Sequence, residues 1–398
     1  MTKPKPPKIR EDRLPYSTQW IDESDIAAVT EVLHSGWLTQ GPAVDAFESA
    51  FAETVGAKYA VAFSNGTTAL TAAYQAAGLE PDECVITTPM TFAATANAAY
   101  LAGGRPVFVD IDPETGLMSP QSLADKLESL QKAGSKVRVV APVHYGGACC
   151  DMGAINTIAK QYGATVVEDA CHALGATYKG KPAGILGDMA VFSFHPVKPI
   201  TTGEGGIVTT NDRSIATTLR ALATHGIVKD DACAKTGPWY YEMRYLSSNA
   251  RLSDIHAALG TSQLARHNDF LVQRRKLAAN YNRELKSNTL FSPVRIPENT
   301  ASAYHLYPVL ANMERLQCDK KQLVETFHAM NIGVQVHYIP VHHHPYYRDR
   351  GFTDAGLNGS VDFYQRQISL PLFAKMSDND QNDVIAALRW IETNLGKD

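Results

Sequence analysis

The stretch YAVAFSNGTTALTAAYQAAGLEPDECVITTPMTFAATANAAYLAGGRPVFVDID, residues 59–112, alternates short apolar runs with longer alanine-rich ones. YAVAFS, CVITTP and PVFVDID have the length of buried strands, whereas TTALTAAYQAAG and TFAATANAAYLAGG have the length of helices. Reading outward, the alternation continues. SPQSLADKLESLQKAG reads as a helix with Ser119 as its cap and Pro120 in its first position. The strand VRVVAPVHY, the helix DMGAINTIAKQYG and the strand TVVEDA follow. This order predicts an α/β fold, a large domain with a mainly parallel sheet between helices, whose functional groups gather at the carboxyl ends of the strands.

A chain of 398 residues is too long for one small core. The basic, proline-rich start is read as a flexible arm over 1–14, followed by a large domain over 15–264. LARHNDFLVQRRKLAANYNRELKSN reads as a long amphipathic helix that leads into a smaller C-terminal α/β domain over 265–398. A net charge of -4 gives no electrostatic case for nucleic acid or for an anionic membrane. No window approaches the roughly 18 consecutive apolar residues of a spanning helix, and no signal-peptide core follows the arm, so a cytoplasmic protein is expected. The six cysteines lack C-x-x-C pairing and are expected to be free thiols.

Three strand ends and one link between strands carry groups suited to chemistry. SNGTTAL, Ser64 to Leu70, is a glycine turn running into a helix, with Gly66, Thr67 and Thr68 at the helix start. Free N–H groups and the positive helix end suit a phosphate there, although an Asn-Gly turn also serves simply as a cap. Asp169 ends the strand TVVED and His172 lies one turn on; the carboxylate either holds a protonated ring nitrogen or caps the next segment. Phe92, in TPMTFAATANA, is either a core residue or the cover of a flat ring. Lys198 lies in the irregular link between the strands AVFSFH and GIVTT, just ahead of Gly-Glu-Gly-Gly. A phosphate cradle, a carboxylate, an aromatic cover and a loop lysine together form the set that pyridoxal 5'-phosphate requires.

From SGWLTQGPAVDAFE through SNGTTAL, EDACHALGA, GDMAVFSFHPVKPITTGEGG, SSNARLSDIHAALGTSQL and VQVHYIPVHHHP to ISLPLF, the chain resembles the DegT/DnrJ/EryC1/StrS sugar aminotransferases, fold-type I enzymes dependent on pyridoxal phosphate. Within that family LPYSTQWIDESDIAAV, HGIVKDD and YHLYPVL resemble the pseudaminic acid branch. The resemblance implies that Lys198 is the Schiff-base lysine, Asp169 the partner of the pyridine nitrogen and His172 its neighbour. Gly66, Thr67, Thr68 and Ser193 would hold the phosphate, with Phe92 stacked on the ring. Asn249 in SSNAR would reach the phosphate of the neighbouring subunit, which implies a homodimer with a shared site. The implied substrates are L-glutamate and a UDP-linked 4-keto sugar, with Glu204, His337 and Tyr338 as substrate-contact candidates.

Adjacent residues of a strand or loop point in different directions, so His342, His343 and His344 are not expected to converge on a metal ion. Three rival readings stay open. A sugar 3-dehydratase of this fold resembles the chain, but such relatives carry histidine where Lys198 stands. A nicotinamide-dependent reductase requires G-x-G-x-x-G after the first strand, which is absent. A catalytically silent regulator that binds the same cofactor is the third.

Overall fold

The computed structural model describes residues 6–397. Seven strands form the central sheet: β1 (Tyr59–Phe63), β2 (Cys84–Thr87), β3 (Arg105–Phe108), β4 (Val137–Val140), β5 (Thr165–Asp169), β6 (Met189–Ser193) and β7 (Gly206–Thr210), in the spatial order β1-β7-β6-β5-β4-β2-β3. The pairs β2–β3, β2–β4, β4–β5 and β5–β6 are parallel. β7 alone runs against its neighbours β1 and β6. Every residue of β2 and β7 is buried, as expected for strands covered on both faces.

This one reversal positions the site. Because β6 is parallel to β5, Ser193 and Asp169 end at the same edge of the sheet, and the chain must cross that edge to return through β7. Gly206 begins β7 opposite both Ser193 and Phe63, the last residues of β6 and β1. Lys198 lies in the crossing. Phe194 closes the loop, accepting at its carbonyl from the Thr201 hydroxyl at 3.0 Å and the Thr202 N–H at 3.0 Å. Phe192 and Phe194 share one face of the strand and pack against Phe47 and Phe51 of α1 (Pro42–Val55), with ring centroids 5.0–5.3 Å apart. Two-residue periodicity turns Ser193 to the other face.

The helices α2 (Gly66–Ala76) and α3 (Ala93–Leu101) follow β1 and β2. Small side chains let them pack closely: Ala69, Ala73, Ala96 and Ala98 are fully buried, and the Tyr74 hydroxyl donates to the Thr95 carbonyl at 3.2 Å.

A second core sits beyond α4 (His267–Leu285). Phe270 of α4 enters the large core, while Leu277, Tyr281 and Leu285 enter the smaller one. The smaller core lies between an antiparallel sheet of β8 (Phe291–Pro293), β9 (Tyr307–Ala311) and β10 (Gln367–Leu370) and the helices α5 (Lys320–Ala329) and α6 (Asp378–Leu395). Arg274, almost fully buried, ties α4 to this body by donating to the carbonyls of Tyr304, His305 and Leu372.

The N-terminal segment departs from the flexible arm expected over 1–14, of which residues 1–5 lie outside the described residues. Leu14 is buried in the smaller core, its N–H donates to the Asn331 carbonyl at 2.9 Å, and Arg10 pairs with Asp380 and Asp383. Proline and lysine content describes how the arm behaves alone; the partners that hold it are some 320 residues away along the chain.

Glu168 and Asp169 are neighbours on β5 and therefore face opposite sides of the sheet. Glu168, with no solvent exposure, accepts the N–H groups of Gly184, Leu186 and Gly187 and contacts His144 Nε2 at 2.9 Å. Glu168→Ala strands these donors in the interior and is expected to lower the unfolding free energy by about 3 kcal/mol or more. Denaturant unfolding checks this; a loss below about 1 kcal/mol contradicts the anchoring role.

Candidate active site

At the carboxyl edge of the sheet the Asn65–Gly66 turn opens α2. Asn65 caps the helix: its side chain accepts the Thr68 N–H at 2.9 Å, and the Thr68 hydroxyl donates back to the Asn65 carbonyl at 2.9 Å. Thr68 is thus committed to the cap, and the Gly66 and Thr67 N–H groups, in the first turn, point outward without an intrahelical acceptor. The turn is packed too closely for side chains. A Cβ on Gly66 would come 3.0 Å from Ser193 Cβ and 3.2 Å from its hydroxyl oxygen, and a Cβ on Gly206 would come 2.5 Å from the Asn65 carbonyl oxygen. Ser193 therefore lies directly beside the helix N-terminus.

Asp169 is held from two sides. Thr95 donates its hydroxyl to Oδ2 at 2.5 Å, with the Thr91 hydroxyl 2.7 Å behind it, and the Cys171 N–H donates to Oδ1 at 3.2 Å. Lys198 is partly buried. Burial holds its amine below the ordinary lysine range, against the opposing pull of Cys171 and Asp169. An amine held in this way is a better nucleophile and base at neutral pH than a solvated one.

His172 accepts the Gly146 N–H at Nδ1, 3.3 Å away, so its single ring proton resides on Nε2 and is donated to the Tyr338 hydroxyl at 2.9 Å. Burial, with the charges of Lys198 and His337, holds His172 well below the usual histidine range, and burial keeps the Tyr338 phenol protonated. The Tyr338 proton is thereby free to be donated into the cleft. The His172 and Tyr338 rings stack, with centroids 6.0 Å apart and planes at 25°. Tyr338 comes from the segment that leaves the smaller body after α5, and the contact fastens that segment to the large body. His337 is buried, bonds Ser369 at 2.9 Å through Nδ1 and presents its carbonyl to the Tyr145 hydroxyl at 2.6 Å, which makes it a support of the segment.

Phe92 is 62% exposed and lies 6.1 Å from the Tyr338 ring, which excludes the core reading. Glu204 is exposed, its carbonyl taking the Thr202 hydroxyl at 2.8 Å. Asn249 is exposed, in a segment whose next residue, Ala250, accepts the Ser64 N–H at 2.7 Å. Sequence reasoning missed Thr95 and His305. Thr95 stands three residues after Phe92, a spacing that places both on one side of a helix start. His305, in YHLYPVL, has its ring centroid 4.5 Å from that of His172, and no sequence signal ties the two together.

A loop amine, a buried carboxylate, a helix-opening turn and an exposed aromatic thus gather at one sheet edge, the kinds of group that a pyridoxal phosphate site requires. Residues 19–389 match the DegT/DnrJ/EryC1/StrS aminotransferase family, and the chain belongs to it. The spore coat polysaccharide biosynthesis protein SpsC of Bacillus subtilis is 40% identical over 95% of this chain and 97% of its own. The UDP-4-amino-4,6-dideoxy-N-acetyl-β-L-altrosamine transaminase of Campylobacter jejuni is 39% identical over 92% of this chain and 94% of its own. Among solved structures, Helicobacter pylori PseC, an aminotransferase involved in the biosynthesis of pseudoaminic acid, superposes with a TM-score of 0.88 at 33% identity, covering 96% of this chain and 100% of its own. The protein is an aminotransferase, and the resemblance read from its motifs holds over nearly its whole length.

Four buried imidazoles surround the site and the neck of α4. Burial lowers His172 and His305 well below the usual range, His267 to about 4 and His337 to about 3. In the unfolded chain each titrates near 6.5, so below that pH the unfolded state binds more protons and stability falls as pH drops. Each imidazole contributes a slope of up to about 1.4 kcal/mol per pH unit, down to its folded value. Unfolding measured at pH 7.5, 6.5 and 5.5 should show this loss, with a shallower slope in His267→Gln. A slope that His267→Gln leaves unchanged contradicts the assignment.

Proposed function

We propose that the protein uses pyridoxal 5'-phosphate to move an amino group from L-glutamate to C4 of UDP-2-acetamido-2,6-dideoxy-β-L-arabino-hex-4-ulose, a step of pseudaminic acid biosynthesis, in the cytoplasm. The observation that carries the reading is the meeting of Lys198, Asp169 and the Gly66–Thr67 turn at one sheet edge. The residues fit the cofactor: the close packing at Gly66 and Gly206 leaves the turn's N–H groups to a phosphate, and the buried carboxylate suits a cationic ring nitrogen. When bound, the cofactor supplies an electron sink for the carbon that exchanges its amine.

The chain's own groups divide the work. Gly66 and Thr67 bind the phosphate through their N–H groups, and the Ser193 hydroxyl adds a donor. Asp169, with its plane fixed by Thr95 and the Cys171 N–H, holds a proton at the ring nitrogen. Phe92 covers the ring and excludes water from one face. The Lys198 amine, held toward its neutral form by burial, would take the proton from the carbon that carries the donor amine and give it back on the far side of the imine nitrogen. His172 stays neutral and keeps Tyr338 oriented toward the cleft.

The stretch Trp239 to Leu246 supports a homodimer. Trp239 is 75% and Leu246 83% exposed, Tyr241 and Met243 are exposed between them, and Asn249 stands at the end of this apolar surface. A second copy covering it would let Asn249 reach the neighbouring phosphate.

Lys198→Ala is expected to abolish transamination while the fold persists, and Asp169→Asn to slow it at least a hundredfold. Normal turnover by Lys198→Ala overturns the mechanism. Mixing Lys198→Ala with Asn249→Ala chains after dissociation should restore roughly a quarter of wild-type activity, since half the dimers are hybrid and each hybrid has one intact site. No recovery contradicts the shared site. The spore-coat relative favours a second reading, another nucleotide-linked 4-keto sugar as acceptor. Purified protein offered glutamate with the L-arabino compound, its D-xylo epimer and GDP- and dTDP-keto sugars decides: amination of the L-arabino compound alone supports the pseudaminic acid assignment. Cofactor binding without amination of any sugar favours the silent regulator.

A further inference from the structure

His342 and His343, expected from their adjacency to point apart, converge. They lie in a single 3₁₀ turn, Val341–His343, held by the Val341 N–H on the Pro89 carbonyl at 3.0 Å and the His343 N–H on the Pro340 carbonyl at 2.8 Å. The tight turn brings the ring centroids to 4.4 Å with planes at 65°. Both Nε2 atoms reach one oxygen, Asp354 Oδ1, at 2.8 and 2.6 Å. Asp354 arrives from a separate segment, fixed by Leu357, which is buried with Val341 and Tyr347 in a small apolar cluster of its own. One ligand atom from each of the three residues lies within 4.8 Å of the other two. His344 takes no part in the convergence; it stands ahead of the short helix Pro345–Arg348.

We propose that His342, His343 and Asp354 form a binding site for one divalent cation of the zinc class, with water completing its shell. Two imidazole nitrogens and one carboxylate oxygen suit zinc, nickel or copper, whereas magnesium and calcium take oxygen-only sets. Bonds of about 2.0–2.1 Å place the ligand atoms of a tetrahedral site about 3.3 Å apart. The carboxylate therefore steps back by about half an ångström to admit the ion, and it does so on the open side, where the Asp354 side chain is 59% exposed.

The ion's second consequence is mechanical. The 342–343 rings meet Asp354 through hydrogen bonds to a single oxygen, beside the apolar packing of Val341 on Leu357, and coordination replaces these hydrogen bonds with three bonds of fixed geometry. The turn so fastened begins three residues after Tyr338, which bonds His172. The site thus acts as a clip on the outer end of the segment that closes the active site, and it takes no part in the transfer itself.

Untagged protein treated with chelator and then titrated with Zn²⁺ alone by calorimetry tests the proposal. One equivalent per chain, accompanied by a rise in the unfolding temperature and absent with Mg²⁺, is expected. His343→Gln and Asp354→Asn, both at partly exposed positions, should each weaken the binding at least tenfold, and the double variant should abolish it with the fold retained by circular dichroism. Cysteine thiols offer Zn²⁺ other sites, so the double variant is the reference. No uptake by the wild type, or uptake unchanged in the double variant, overturns the proposal and leaves Asp354 as a hydrogen-bonded turn clamp.

Discussion

Between Gly206 and the Asn65–Gly66 peptide there is no room for a methyl group: a Cβ at Gly206 would lie 2.5 Å from one backbone oxygen and 2.8 Å from the next nitrogen. This close approach joins the start of β7 to the turn that opens α2, and the site depends on it. β7 runs antiparallel between β1 and β6, so its first residue faces the last residues of both. The ends of three strands, the helix N-terminus and the Lys198 loop are gathered at one edge by backbone pairing.

Burial sets the chemistry at that edge. The Lys198 amine and the His172 imidazole are both pushed toward their neutral forms by the loss of water, whereas the Tyr338 phenol is kept protonated by the same cause. Each shift suits the role proposed for the group: a neutral amine attacks, a neutral imidazole orients, and a protonated phenol donates. Asp169 keeps two hydrogen-bond donors, from Thr95 and Cys171, in place of water. Glu168, one residue earlier and on the opposite face, instead holds the N–H groups of Gly184, Leu186 and Gly187 and the His144 ring, as the alternation of a strand dictates.

The two bodies are joined at several points. Arg274 binds three carbonyls around α4, and Tyr338 bonds His172 over the cleft. The N-terminal segment, docked through Leu14 and Arg10 on the smaller core, carries the chain from that body to the large one.

Sequence alone determined the alternating sheet and helix order, the family, and the side chains at strand ends, because each depends on periodicity or on residues close together in the chain. SNGTTAL, Asp169, Lys198 and Ser193 were legible for that reason. The direction of β7, the packing of Gly206 on Asn65, the pairing of Thr95 with Asp169 and the approach of His305 to His172 were decided only by tertiary structure. So were the docking of the N-terminal arm and the convergence of His342 and His343 on Asp354. In each case the partners are distant in the chain or the backbone turns between neighbours, and neither composition nor spacing encodes an angle or a contact that only the packed core fixes.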